Sequence, residues 1–229
     1  MSAGPTAGST GPTCAAEAQA GAHGPSAACS ALVTGFGPFP GVDDNPTAAI
    51  AAAIGQLALP DVALAVLPVS WRRGPEALRA ALDATSAEVG PPVVLLHLGV
   101  AVGADRLRVE RVAAAACRQA LDVDGDLPTS TPSAGAARFD AEALARHLGD
   151  AGLPAAVSDD AGAYLCNAIF AEGLRWAAAR DVLVAFLHVP MPGTPRPDGA
   201  PWQLADLVSA ATTTLTWLQE RGRVASGRA

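Results

Sequence analysis

The 229 residues include no lysine; all 15 basic side chains are arginine. A P-loop lysine, a Schiff-base lysine for a cofactor and a Ser–Lys dyad are therefore excluded. Aromatic residues make up only 4% of the chain while half of it is hydrophobic, so the core has to be built mainly from Ala, Val and Leu. None of the four cysteines, Cys14, Cys29, Cys117 and Cys166, forms a C-x-x-C pair. That argues against a zinc site or a thioredoxin-like redox pair, and a domain of this size does not need a disulfide framework. No apolar run reaches the ~18 residues that suggest a membrane span. A G-x-S-x-G nucleophile elbow is missing too, which removes the common serine hydrolases. The net charge of -7 is modest and both signs are scattered, unlike the basic face of a nucleic-acid or anionic-membrane binder.

The length suits one domain with a sizeable core. Residues 1–30 are rich in Ala, Gly, Pro, Ser and Thr, lack periodicity, and lack the basic start and apolar centre of a secretory signal. They are expected to be a disordered extension in which Cys14, His23 and Cys29 are incidental. The folded domain is expected over 31–222, with 223–229 a frayed tail. Continuous apolar runs predict strands at 31–36, 62–69, 93–98, 155–157 and 182–189. Helices are predicted from Pro46 to about 57, and over 75–88, 140–148, about 159–178 and 202–221. Residues 119–137 read as a long loop with a short strand near its start. Apolar strands alternating with helices predict a three-layer α/β/α sandwich around a mainly parallel twisted sheet. In such folds the chemistry lies at the carboxyl ends of the strands.

Two tempting motifs fail. Gly35-x-Gly37 follows a strand, but Pro40 stands where a dinucleotide fingerprint needs its third glycine. Asp122-x-Asp124-x-Asp126 starts like a calcium loop, but Gly125 is at the fourth position and Ser133 at the twelfth. Calcium is set aside and no metal is expected. Cys166 is different. The stretch Ser158–Asn167 puts it in the first turn of a predicted helix capped by Ser158 or Asp159. A thiol there faces the positive end of the helix dipole, which favours thiolate; the competing reading is a buried cysteine serving as a small apolar residue. His188 closes the last predicted strand and points to the crevice, whereas His97 reads as packed and hydrogen-bonded and His147 as a helix-surface residue. Glu110, among Arg106, Arg108 and Arg111, reads on its own as one charge of an exposed salt-bridged run. A nucleophile, a base and an orienting acid nevertheless fall at three strand or helix ends, the requirement for an activated thiol. Phe36 and Phe39 are either core plugs or a flat wall for a ligand.

Three segments resemble a known family. Val33-Thr34-Gly35-Phe36-Gly37-Pro38-Phe39 with Asn45-Pro46, the cysteine stretch Ser158–Asn167, and Phe186-Leu187-His188-Val189-Pro190 are similar to the signatures of the type I pyroglutamyl peptidases, or pyrrolidone-carboxylate peptidases. The resemblance covers about residues 31–222. It implies a cysteine exopeptidase with Cys166 as nucleophile, His188 as general base and then acid, and Glu110 orienting His188. It also implies a pyroglutamyl slot lined by Phe36 and Phe39, a supporting polar role for Asn45, and substrate contact at Val100, a position often Gln in bacterial members. No metal or cofactor is implied. The implied partners are small peptides with N-terminal pyroglutamate, not nucleic acid or membrane, in a cytoplasmic enzyme; bacterial relatives often assemble as tetramers, which allows a homo-oligomer. The chain departs from the family pattern at Val102, where a small residue is usual, at Arg108, where Ser or Thr is usual, and at Ala115, where Asn is usual. Those departures keep two other readings open: a thiol amidase with a different acyl substrate, and a non-catalytic scaffold.

Overall fold

The computed structural model describes residues 31–89 and 91–225; the predicted extension 1–30 and residues 226–229 of the predicted tail lie outside them. Six strands form one sheet. They are β1 (Ala31–Phe36), β2 (Val62–Leu67), β3 (Val94–Val100), β4 (Leu107–Glu110), β7 (Ala155–Ser158) and β8 (Leu183–Val189), in the order β2-β1-β3-β8-β4-β7. A separate two-stranded pair joins β5 (Val112–Ala113) to β6 (Gly135–Ala136). From β2 to β8 neighbouring strands are parallel, whereas β4 runs antiparallel to β8 and carries β7 parallel to itself.

Successive strand residues point to opposite faces, and both faces are covered. Val33, Leu96 and Leu187 pack with Ile50 and Ile54 of α1 (Pro46–Gln56), Leu144 and Leu148 of α3 (Ala141–Asp150), and Leu207 and Leu215 of α5 (Leu204–Ala225). On the other face, Leu32, Leu95 and Phe186 pack with Leu78 and Leu82 of α2 (Arg73–Val89) and Ile169 and Phe170 of α4 (Leu165–Ala177). This is the predicted three-layer, mainly parallel arrangement.

The differences from the sequence reading have local causes. Leu107–Glu110 is strand β4, not an exposed run: Leu107, Val109 and Glu110 are buried and only Arg108 is exposed. The strand expected near the start of 119–137 is absent, because Asp122 turns the chain there: its Oδ1 accepts from the amides of Asp124 (2.8 Å) and Asp126 (2.9 Å), and its Oδ2 from that of Trp71 (2.7 Å). Helix α2 begins before Pro75 because Ser70 Oγ accepts from the Arg73 amide at 3.0 Å. Trp202 precedes α5, fully buried, with its indole N–H donating to the Asp105 carbonyl at 2.8 Å, and the helix continues to Ala225, past the predicted domain end. Asn45 caps α1 as its position before Pro46 suggests, its Oδ1 accepting from the Thr47 amide at 3.1 Å. His97 is buried in β3 and hydrogen-bonded through Nδ1 to Thr34 Oγ1 at 2.7 Å; burial pushes its imidazole down to about 3. His147 is exposed on α3, as read.

Candidate active site

The cysteine helix starts later than the sequence suggests. Ser158 ends β7, and its Oγ accepts from the Asp160 amide (3.2 Å); Asp160 Oδ1 accepts from the Gly162 amide (2.9 Å). Short polar side chains that bond two residues ahead make turns, and Gly162 completes this one with φ +79°. Asp159 is used elsewhere, paired with Arg111 at 2.8 Å. Neither predicted cap reaches the helix, and α4 begins at Leu165 with Tyr164 as N-cap and no side chain capping it. Cys166, half-buried, remains in the first turn, where unpaired helical amides and the dipole favour negative charge.

His188, only 6% exposed, comes from β8, and its Nδ1 lies 2.7 Å from Glu110 Oε1. Glu110 reaches it from β4, where it is fully buried. The exposed salt-bridge reading of Glu110 is therefore corrected: its partner is a buried imidazole, while the neighbouring Arg111 turns outward to Asp159 and Glu142. Since β4 is reversed, Glu110 pairs in register with Phe186, one level deeper in the sheet than His188. Burial alone would lower the imidazole's affinity for a proton. The charge and hydrogen bond of Cys166, followed by the hydrogen bond and charge of Glu110, outweigh it and raise His188 to about 9. With Nδ1 on Glu110, Nε2 is the nitrogen left for the thiol.

Two further residues hold this pair in place. Gly99 of β3 lies opposite His188, and a Cβ there would sit 2.7 Å from the Phe186 ring and 2.9 Å from His188 Cδ2. Only glycine lets both rings lie against β3. Asn167 had no role in the sequence reading beyond its place in the cysteine motif. It is fully buried; its Oδ1 accepts from the Ala114 amide (2.8 Å) and its Nδ2 donates to the Ala114 (2.9 Å) and Ala116 (3.0 Å) carbonyls. It ties the segment leaving β4 to the cysteine helix. Asn167→Ala strands these backbone groups, so stability is expected to fall by about 2–4 kcal/mol. Urea unfolding would show a lower midpoint at an unchanged slope; a loss below about 0.5 kcal/mol would contradict the clamp.

Beside Cys166 lies a narrow apolar slot of about 30 Å³, lined by Phe36, Phe39, Asn45, Val69, Val100, Tyr164, Leu165 and Cys166. All four residues predicted to contact substrate are in it. Phe36 is buried at the end of β1; Phe39 is half-buried on the following loop, held by reciprocal amide–carbonyl bonds with Val42. Asn45 is engaged within the protein, Oδ1 in the α1 cap and Nδ2 donating to the Gly37 carbonyl at 2.9 Å, so what it gives the slot is shape. Sequence reasoning missed Val69 and Tyr164. Tyr164 packs edge-on against Trp71 with ring centres 5.1 Å apart and donates to the Leu121 carbonyl at 2.8 Å. Larger clefts of about 520 and 360 Å³ lie along α2 and α4 and beside Arg138, but neither contains a nucleophile with a base. The three positions that depart from the family pattern, Val102, Arg108 and Ala115, are all exposed.

The carboxylates of Asp122, Asp124 and Asp126 come within 4.8 Å of one another. Asp122 is spent on three backbone amides and Asp124 is paired with Arg73. The cluster is accounted for as a turn.

Comparison with known proteins points the same way as the slot. Residues 29–196 match the family described as pyroglutamyl peptidase. The pyrrolidone-carboxylate peptidase of Pyrococcus furiosus is 30% identical over 170 residues, covering 69% of this chain and 79% of that protein. The corresponding protein of Deinococcus radiodurans is 34% identical over 172 residues, with 69% and 77% covered. Crystal structures of the Pyrococcus furiosus pyrrolidone carboxyl peptidase superpose with a TM-score of 0.72 at 26% identity, covering 84% of this chain and 99% of that one.

Proposed function

The chain belongs to the pyroglutamyl peptidase family of cysteine peptidases, and on that premise we propose that Cys166, His188 and Glu110 act as a triad that removes an N-terminal pyroglutamyl residue from peptides through a thioester. The observation that carries this is a half-buried thiol at a helix start, beside an imidazole held at about 9 and bonded to a buried carboxylate, at the edge of an apolar slot.

The thiolate of Cys166 attacks the carbonyl carbon that joins pyroglutamate to the next residue. The developing oxyanion is met by amides of the uncapped first turn of α4, which no side chain occupies. As the C–N bond breaks, His188 gives its Nε2 proton to the leaving nitrogen. Water then attacks the thioester, its proton passes to His188, and the acid leaves with Cys166 restored as thiolate. Glu110 keeps the imidazole turned and stabilises its charged form. Every step uses side chains, backbone amides and water.

Pyroglutamate is a neutral lactam with no free amine, and the slot suits it. The slot is narrow, and its two aromatic walls are not held equally firmly. Phe39, on a loop and half-buried, is the wall that can move; Phe36 is fixed in the sheet. An N-terminal ammonium would enter this apolar space unpaired. A fluorogenic pyroglutamyl amide is therefore expected to be cleaved at least ~100-fold faster, in kcat/KM, than the matching prolyl and glutaminyl amides. Comparable rates on all three would overturn the specificity in favour of a thiol amidase with another acyl substrate. We also propose a cytoplasmic enzyme. Separately, no helix among the described residues is long and apolar enough to cross a membrane.

A further inference from the structure

We propose that Arg108 selects substrates whose leaving part carries a carboxylate close to the scissile bond. This deepens the proposed function and rests on it. Arg108 is the direct partner of His188 across the β4–β8 ladder, and directly opposed residues project from the same face of a sheet. It stands at the level of His188, at the crevice edge, because β4 runs backwards. Arg108 is exposed, and its side chain makes no hydrogen bond or salt bridge among the described residues. Its neighbour Arg106 is neutralised by Asp105 through two bonds of 3.0 Å, and the same Asp105 carboxyl is held down in part by the charge of Arg108.

The strand order gives the direction of the substrate. The slot lies over the ends of β1 and β3, at Phe36 and Val100. His188 is on the next strand, β8, and Arg108 on the one after, β4. A pyroglutamyl ring in the slot places its carbonyl at Cys166 and its leaving nitrogen at His188. The chain beyond that nitrogen continues toward β4 and meets the free guanidinium. On the slot side of His188 its direct partner is Gly99, which has no side chain to compete. A carboxylate can reach Arg108 from two sources: the side chain of an acidic second residue, or the C-terminus of a pyroglutamyl dipeptide. Arg118, also exposed and without a salt bridge, is felt by the Tyr164 hydroxyl and serves as the control.

The test compares two isosteric substrate pairs on the full chain at low salt. One pair is pyroglutamyl-glutamic acid amide against pyroglutamyl-glutamine amide; the other is pyroglutamyl-alanine against its amide. For at least one pair, kcat/KM is expected to favour the carboxylate by about three- to fivefold, the size of an exposed charge pair, and the preference should shrink at ~1 M salt, where the screening length is about 3 Å. Arg108→Gln should bring the ratio to about one and Arg108→Lys should keep most of it. Because the readout is a ratio within each protein, a general loss of activity does not disturb it. The inference is overturned if both wild-type ratios are near one, if Arg108→Gln leaves them unchanged, or if Arg118→Gln removes them instead. Absence of hydrolysis of all four substrates by the folded protein overturns the proposed function itself, and the inference with it.

Discussion

Cys166→Ala is expected to lower kcat/KM for a pyroglutamyl amide by about 10⁴-fold or more, to the level of background hydrolysis. Removing the nucleophile of a comparable triad costs on the order of 10⁶ in kcat, and among the described residues no other thiol is placed to substitute: Cys117, the only other cysteine there, is absent from the slot lining, and burial pushes its thiol up. The fold should survive, because a half-buried cysteine at the start of α4 fills little core. Fluorophore release by wild type and variant, with circular dichroism as a check on folding, decides it. Wild-type activity in Cys166→Ala would sink the thioester route.

Glu110→Gln should be the next most damaging change to the chemistry, lowering kcat by about 10²–10⁴-fold. The amide is the same size, so β4 can still pair, but it no longer balances the imidazolium and can present an N–H to His188. The pH profile separates this from simple damage. His188 is raised to about 9, so its protonated form, which serves the leaving nitrogen, persists to that pH, and wild-type activity should fall as pH rises through about 9. Glu110 contributes two of the supports for that raised value, its hydrogen bond and its charge. In Glu110→Gln the alkaline limb should therefore move to lower pH. A variant with reduced activity but an unmoved limb would mean that Glu110 acts only through packing.

How much of this was legible depended on whether a residue's setting is local. The runs that became β1, β3 and β8 are continuously apolar and were found within a residue or two, and Pro46 marked the start of α1. Cys166 and His188 could be placed because each sits at the end of a strongly patterned element. Glu110 could not be placed from its own surroundings. Four residues of β4 flanked by arginines show too short an alternation to declare a strand, and its burial is created by β8, 78 residues away in the chain. The resemblance to a family supplied its role; the residues near it suggested the opposite. Ser158 and Asp159 misled for a related reason: short oxygen-bearing side chains serve turns and ion pairs as readily as helix caps, and here Ser158 makes a turn that Gly162 completes with its positive φ while Asp159 pairs with Arg111. Asn167 and Tyr164 were visible only as letters in a motif, since their partners, Ala114, Ala116 and Leu121, come from distant segments. The reversed direction of β4, which sets Glu110 beneath His188 and Arg108 beside it, follows from sheet pairing that no local pattern encodes.

His97 ties the endurance of the sheet to acid. It is neutral in the fold, held at about 3, whereas a free imidazole takes its proton near 6.5. Above pH 6.5 its contribution to stability is complete. As the pH drops below that value the unfolded chain gains a proton that the folded chain refuses, and folding weakens by about 1.4 kcal/mol for each pH unit toward 3. The load falls on β3, which is paired on both sides, to β1 and to β8. Acidification therefore begins to work against the middle of the sheet, beneath α4, between about pH 6.5 and 5, where carboxylates of ordinary acidity still keep their charge.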